Sequence, residues 1–222
     1  MARVTGVKER LHSPLYDAFF LPEPARDQEG NLVTGTDGKP VGPSFRDTMR
    51  DPSVIRFFVD VQNKTRLETN LQASGVLPSL NTFEARALRV VISGGTPARD
   101  EDAVEQIQAL DGPDPDAFIP ELIYSSVITL LVGEKEAITA PTYMFPSGAG
   151  VLGGNGSMPL NHGEPDPLST FRFAEPVTIE CQQNFRVEML FPRGVPEINV
   201  ANAYGPRHIW VVLDGYLTRD VQ

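Results

Sequence analysis

The chain has one cysteine, Cys181, among 222 residues, which excludes an internal disulfide framework. Its three histidines, His12, His162 and His208, are scattered, and none forms an H-x-H or H-E-x-x-H pair. The spacing that preorganises a metal on one strand or helix is therefore missing, and no metal or cofactor is expected. Cationic residues are scarce: 19 Lys and Arg stand against 29 Asp and Glu, a formal charge of −10. A field of that sign repels nucleic acid and anionic membranes. The one basic patch, Arg3, Lys8 and Arg10, is thin and is interrupted by Glu9, so direct sequence-specific nucleic-acid binding is not expected. No apolar run approaches the roughly 18 residues of a transmembrane helix. The N-terminal residues lack the continuous apolar core and small-residue cleavage site of a secretory signal, so the expected site of synthesis and use, or of assembly, is a cytoplasm.

What the chain has in abundance is turn formers, 20 Pro and 19 Gly, between short apolar runs. That combination predicts a sandwich or barrel rather than a helical bundle. The C-terminal fifty residues are the clearest case. Val177, Ile179 and Cys181 alternate with polar residues, Phe185, Val187, Met189 and Phe191 recur at every second position with Arg186 and Glu188 between them, and Ile209, Val211 and Leu213 keep the same two-residue spacing. Successive strand side chains point to opposite faces, so these runs are strands with one face in a core. Cys181, at an inward position, reads as a buried and inert thiol. Earlier runs at 54–61, 85–92, 119–132 and 135–143 read as β, and 215–221 closes the set, about eight main strands in all. One helix is expected at 100–110, where Asp100 can cap the N-terminus and Val104, Ile107 and Leu110 share a face.

Residues 1–50 read differently. Prolines and glycines alternate along them, and the only apolar cluster is Leu15, Tyr16, Phe19, Phe20 and Leu21. The expectation is an extended N-terminal arm over 1–50 with an aromatic anchor, or a loop that lies over its own sandwich, followed by one sandwich domain over 51–222. A small hairpin at Asp27–Val41 turns at Asp37-Gly38. On this reading residues 1–25 are dispensable for folding. Trp210 and Val212 take the outward positions of the strand at 208–214, which makes it apolar on both faces. Such a strand lies under a loop or at a subunit interface. Trp210, Val212, Phe19 and Phe20 are therefore the candidate interface residues.

Candidate catalytic patterns fail on context. Gly148-Ala149-Gly150-Val151-Leu152-Gly153 satisfies G-x-G-x-x-G, but Gly154-Asn155-Gly156-Ser157-Met158-Pro159 follows and cannot open the helix that a dinucleotide site needs. The acidic turn Asp111–Asp116 has two prolines and no terminal Glu of an EF-hand, so it reads as a solvated turn. Ser147 and Ser157 lie in no G-x-S-x-G elbow. The sequons at Asn63 and Asn155 carry no weight without a secretory signal. No catalytic residue is assigned, and the chain is not expected to be an enzyme.

The terminal run Phe171–Phe191, the closing strand Ile209–Arg219 and the loop Phe145–Gly150 together resemble the single jelly-roll major capsid proteins of tailless icosahedral viruses and phages with an internal membrane. The resemblance implies an all-β jelly-roll sandwich of about eight strands, with one short inserted helix and an extended N-terminal arm. It implies a structural virion protein, assembled in the host cytoplasm, that forms capsomers with copies of itself and contacts other capsid or vertex proteins and an internal membrane. The alternative is a cupin-like or lectin-like sandwich, an enzyme or a sugar-binding protein, with a pocket built from His162, Glu164, Asp166 and His208.

Overall fold

The structure is a computed structural model that describes residues 8–93, 118–147, 168–194 and 199–220. These form nine strands in two antiparallel sheets, with two short helices. The strands are β1 (Lys8–His12), β2 (Leu15–Leu21), β3 (Val54–Phe57), β4 (Thr82–Ile92), β5 (Val127–Val132), β6 (Lys135–Pro141), β7 (Arg172–Ile179), β8 (Phe185–Leu190) and β9 (Arg207–Asp220). The helices are α1 (Phe45–Thr48) and α2 (Phe118–Ser125). One sheet runs β1-β9-β4-β7, with β2 also on β9, and the other runs β3-β8-β5-β6. β1 and β2 lie end to end along one edge of β9, which pairs with β4 on its other edge. Counted as one strand, they complete the first-eighth-third-sixth and second-seventh-fourth-fifth orders of an eight-stranded jelly roll.

The core lies between the sheets. Phe83, Leu88, Val90, Ile92, Ile209, Val211 and Leu213 from one meet Ile55, Phe57, Ile128, Leu130, Phe185, Val187 and Met189 from the other. The period-2 reading of the C-terminal strands therefore holds at every inward position of β8 and at 209, 211 and 213 of β9. Ile179 is buried as well, with Val177 packed against the core. Cys181 is exposed, contrary to expectation. β7 ends at Ile179 and the chain turns, with Gln182 at φ 61°, so the alternation runs two residues past the strand itself.

The largest correction concerns residues 1–50. The part from Lys8 to Leu21 is sheet, not arm: Leu15, Ala18 and Leu21 are buried, and seven residues of β2 pair with β9 from Leu213 to Arg207. Residues 1–7 lie outside the described residues. The run at 25–41 is a small ordered excursion with bridges Arg26↔Leu32 and Thr34↔Pro40, and Gly38 sits at φ 75° in its turn. The chain then enters α1 through a capping box, in which Ser44 and Asp47 satisfy each other's backbone N–H groups.

Two further differences have local causes. The β-rich run at 119–132 opens as α2, because Phe118, Ile119, Leu122 and Ile123 fall on one helical face and are all buried. Pro120 sits in its first turn, where no intrahelical N–H partner is lost. The expected strand at 54–61 stops at Phe57, since Phe58 adopts φ 68° and leaves the sheet. The runs at 208–214 and 215–221 are one strand, β9. It passes Arg86, the bulged residue of β4, at Gly215, where an added Cβ would collide with the Glu84 carbonyl. The helix expected at 100–110 lies outside the described residues.

Two outcomes test this architecture. Deleting residues 1–21 removes the edge pairing of β9 and is expected to abolish the cooperative thermal transition, which circular dichroism would follow. Gly215→Val is expected to cost about 1–3 kcal/mol or more in urea unfolding, from overpacking against β4.

Candidate functional site

The outer face of the β9 sheet carries three of the four candidate interface residues, Trp210, Val212 and Phe20. Cross-strand register places Phe20 opposite His208, and Ala18 opposite Trp210. The His208 ring lies between the other two rings, 4.6 Å from Phe20 and 4.7 Å from Trp210, nearly parallel to the latter at 14°. Trp210 Nε1 donates to the Leu67 carbonyl at 3.0 Å. The connection from β3 to β4 therefore folds back over Trp210, and cover by the chain itself accounts for this outward tryptophan. Val212 is half-buried between Tyr16 and Arg89 on the neighbouring strands. Phe20 remains 39% exposed, at the rim of the stack. Phe19 points to the opposite face, where its ring meets Phe45 edge-on at 5.8 Å. The four residues are thus split between two faces, and Phe19 belongs with the core.

The connection that covers Trp210 is anchored on β2. Thr69 bridges Asp17, the Asn70 side chain accepts from the Tyr16 N–H and donates to the Pro14 carbonyl, and the Tyr16 hydroxyl donates to the Arg66 carbonyl. At its centre is Asp17, a fully buried carboxylate. Lys64 Nζ donates to both its oxygens, at 2.8 and 2.9 Å, and the Phe58 backbone N–H donates to Oδ2 at 2.7 Å. Burial pushes the Asp17 carboxyl above the usual carboxylate range, outweighing Lys64 and the hydrogen bonds that act the other way. Sequence reasoning missed this group, although a carboxylate inside Leu15-Tyr16-Asp17-Ala18-Phe19-Phe20-Leu21 was the available signal.

Further along the same face the charges are paired. Arg89 grips Asp214 with two hydrogen bonds, at 2.6 and 3.0 Å. Arg10 and Arg86 both reach Glu84, and their guanidiniums lie 4.3 and 5.2 Å from the Tyr216 ring centre. Arg10, a member of the expected basic patch, is thereby committed to a carboxylate.

Four of the five long connections gather at one end of the sandwich. Those spanning 22–53, 93–126, 142–171 and 191–206 all leave there, while the opposite end closes β5 to β6 with Gly133 and Glu134 alone. Phe45, fully buried, knits that end together. Its ring meets Phe118 at 5.6 Å and Phe191 at 6.1 Å, and its N–H donates to the Ala203 carbonyl. Beside it, Ser126 and Thr142 hydroxyls share a buried hydrogen bond of 2.7 Å. On the surface of this end Tyr124 is 73% exposed and Tyr143 51%, with ring centres 5.9 Å apart, and a shallow depression of about 410 Å³ lies over Pro120, Glu121, Tyr124 and Ser125.

Among the described residues no group of three or more His, Cys, Asp or Glu side chains converges to hold a metal. His208 is a stacked ring, while His162, Glu164 and Asp166 lie outside the described residues, as do Gly148–Gly153, Ser157 and the Asp111–Asp116 turn.

The His208 stack has a pH signature. Burial lowers the His208 pKa, with Glu68 acting weakly the other way. The unfolded chain, with His near its ordinary value, then binds the proton more readily than the folded one. Stability falls as pH drops through about 6.5, and His208→Phe is expected to flatten that slope in melts between pH 7.5 and 5.5. Glu68, pushed up by partial burial but brought below its ordinary value by hydrogen bonds from Thr65 and the nearby His208 and Lys64, loses its contribution only at more acidic pH. Phe45→Ala is expected to cost about 3–5 kcal/mol in urea unfolding, because three connections lose their shared contact.

No family model, curated protein or solved structure shows a significant match to this chain.

Proposed function

We propose that the chain is a structural virion protein, a jelly-roll capsid subunit that assembles with copies of itself into the capsomers of an icosahedral shell. The observation that carries this reading is how the jelly roll distributes its chain. Four connections of sixteen or more residues leave one end, and the one long connection of the other end lies back along the β2 edge. That leaves the sandwich flank formed by β6 and β7 with strands that pair on one side only among the described residues. Subunits of a closed shell need side-by-side contacts of this kind, and edges satisfied by a neighbour are no liability once assembled. The exposed Tyr124, Tyr143 and Met144 at the loop-bearing end offer the aromatic and Met character that is enriched in protein contacts.

The acidic charge of −10 suits a shell separated from nucleic acid by a membrane or another protein better than one that lines bare nucleic acid. Its partners on this reading are other copies of the chain, then other capsid or vertex proteins, and an internal membrane. Its place is the virion, after assembly in a host cytoplasm.

The test is sedimentation and negative-stain microscopy of the purified protein, alongside a Tyr124→Asp/Tyr143→Asp double variant. Rings, capsomers or shells are expected for the parent. The variant should keep the parent's melting temperature, since both side chains are exposed, but shift assembly to concentrations at least tenfold higher. A strictly monomeric parent at every concentration up to hundreds of micromolar would overturn the reading.

A further inference from the structure

Lys64 and Asp17 are 47 positions apart in sequence, yet both Asp17 oxygens lie within 2.9 Å of Lys64 Nζ. The carboxyl is wholly buried and the lysine side chain is 19% exposed. We infer that these two side chains are joined by an isopeptide bond, an amide between Lys64 Nζ and Asp17 Cγ that ties β2 to the connection following β3.

Three features of the site carry the inference. First, the two partners are held together with no solvent reaching the carboxyl, so the encounter is already made and the reaction is intramolecular. Second, a buried acid-amine pair can neutralise by moving one proton from Nζ to a carboxylate oxygen, because low dielectric penalises the two charges. That transfer produces the two reactive forms, a free amine and a carboxylic acid. The raised pKa of Asp17 is in the same direction. Third, the Phe58 backbone N–H points at Oδ2 from 2.7 Å, where it polarises the carbonyl and stabilises the negative oxygen of a tetrahedral intermediate. Phe58 is held for this at φ 68°, a conformation that a bulky residue adopts only when its surroundings impose it.

The step balances without any co-reactant. A turn of the carboxyl about its χ2 brings its face to the amine. The Nζ lone pair attacks Cγ, the Cγ–Oδ1 bond breaks, and Oδ1 leaves as water with two protons that began on Nζ. The third Nζ proton stays on the amide, and Oδ2 becomes the amide oxygen. One positive and one negative charge disappear together, so the net charge of the chain does not change. The product is a covalent staple across the connection that covers Trp210, and it removes loop-closure freedom from the unfolded chain.

Intact-mass measurement of the full-length protein, fresh and after prolonged incubation, tests the inference directly. The expected mass is one water below that of the sequence, a loss of about 18 Da. Tandem spectra should show one branched peptide containing both Asp17 and Lys64, and trypsin should fail to cut after Lys64. Lys64→Arg keeps the ionic pairing but cannot condense in this way, and it should return the full sequence mass. A parent protein that holds the full mass throughout overturns the inference and leaves an ion pair. So does a water loss that maps instead to cyclised Asp37-Gly38, Asp111-Gly112 or Asp214-Gly215.

Discussion

β9 is held on both of its edges along its length, by β2 and β1 on one side and β4 on the other, and the rest of the sandwich depends on that pairing. A strand in this position has most of its backbone groups paired within the sheet, and its inward residues Ile209, Val211 and Leu213 sit at the centre of the core. Two local adjustments make fourteen residues of pairing possible. Arg86 bulges out of β4, and Gly215 presents no side chain where the two backbones close on each other. Register matters here because a one-residue slip would put Trp210, Val212 and Asp214 into the core.

The second dependence is on Asp17. Burying a lone carboxylate in a sheet costs several kcal/mol (order of magnitude) unless it is paired, and here the partners come from the connection between β3 and β4. Asp17 therefore compels that connection to fold back along β2. Once there, it places Thr69 and Asn70 on the β2 edge and the Leu67 carbonyl over Trp210. One buried charge thus organises the edge cover, the cap on the outer aromatic stack and the unusual backbone of Phe58. Among the described residues the opposite flank, β6 and β7, also ends in strands that pair on one side only.

At the loop-bearing end the organising contact is Phe45, which draws α1, α2 and the segments before and after residues 199–202 into one apolar cluster. Function on the proposed reading resides in surfaces rather than in a cleft. The exposed tyrosines over that cluster and the open flank are then its working parts, and the ordered interior is what keeps them in fixed relation. A rigid frame bearing contact surfaces on its loops and edges is the common division of labour in β-sandwiches.

Some of this was legible in the residues themselves. Phe185, Val187, Met189, Ile209, Val211 and Leu213 announced their strands, because side chains alternate with a period of two and one face must be buried. β2 did not, since Leu15-Tyr16-Asp17-Ala18-Phe19-Phe20-Leu21 is apolar at both parities, with a charge at an inward position and prolines around it. It looked like an anchored arm because its partner, β9, is nearly two hundred residues away. α2 was hidden for a related reason: Leu122 and Ile123 suit a strand locally, and only the packing of Phe118, Ile119 and Leu122 against Phe45 and its neighbours selects the helix. Trp210 could be identified as covered but not by what, since its cover arrives from residues 65–70 through a contact that no local pattern encodes. The sequence by itself determined the strand-rich class, the core faces of the C-terminal strands and the scarcity of metal-ligand patterns, all of which follow from composition and short-range periodicity. Only the tertiary structure decided which edges pair, what covers Trp210 and why Asp17 is buried, because those depend on long-range contacts between segments that share no signal in the chain.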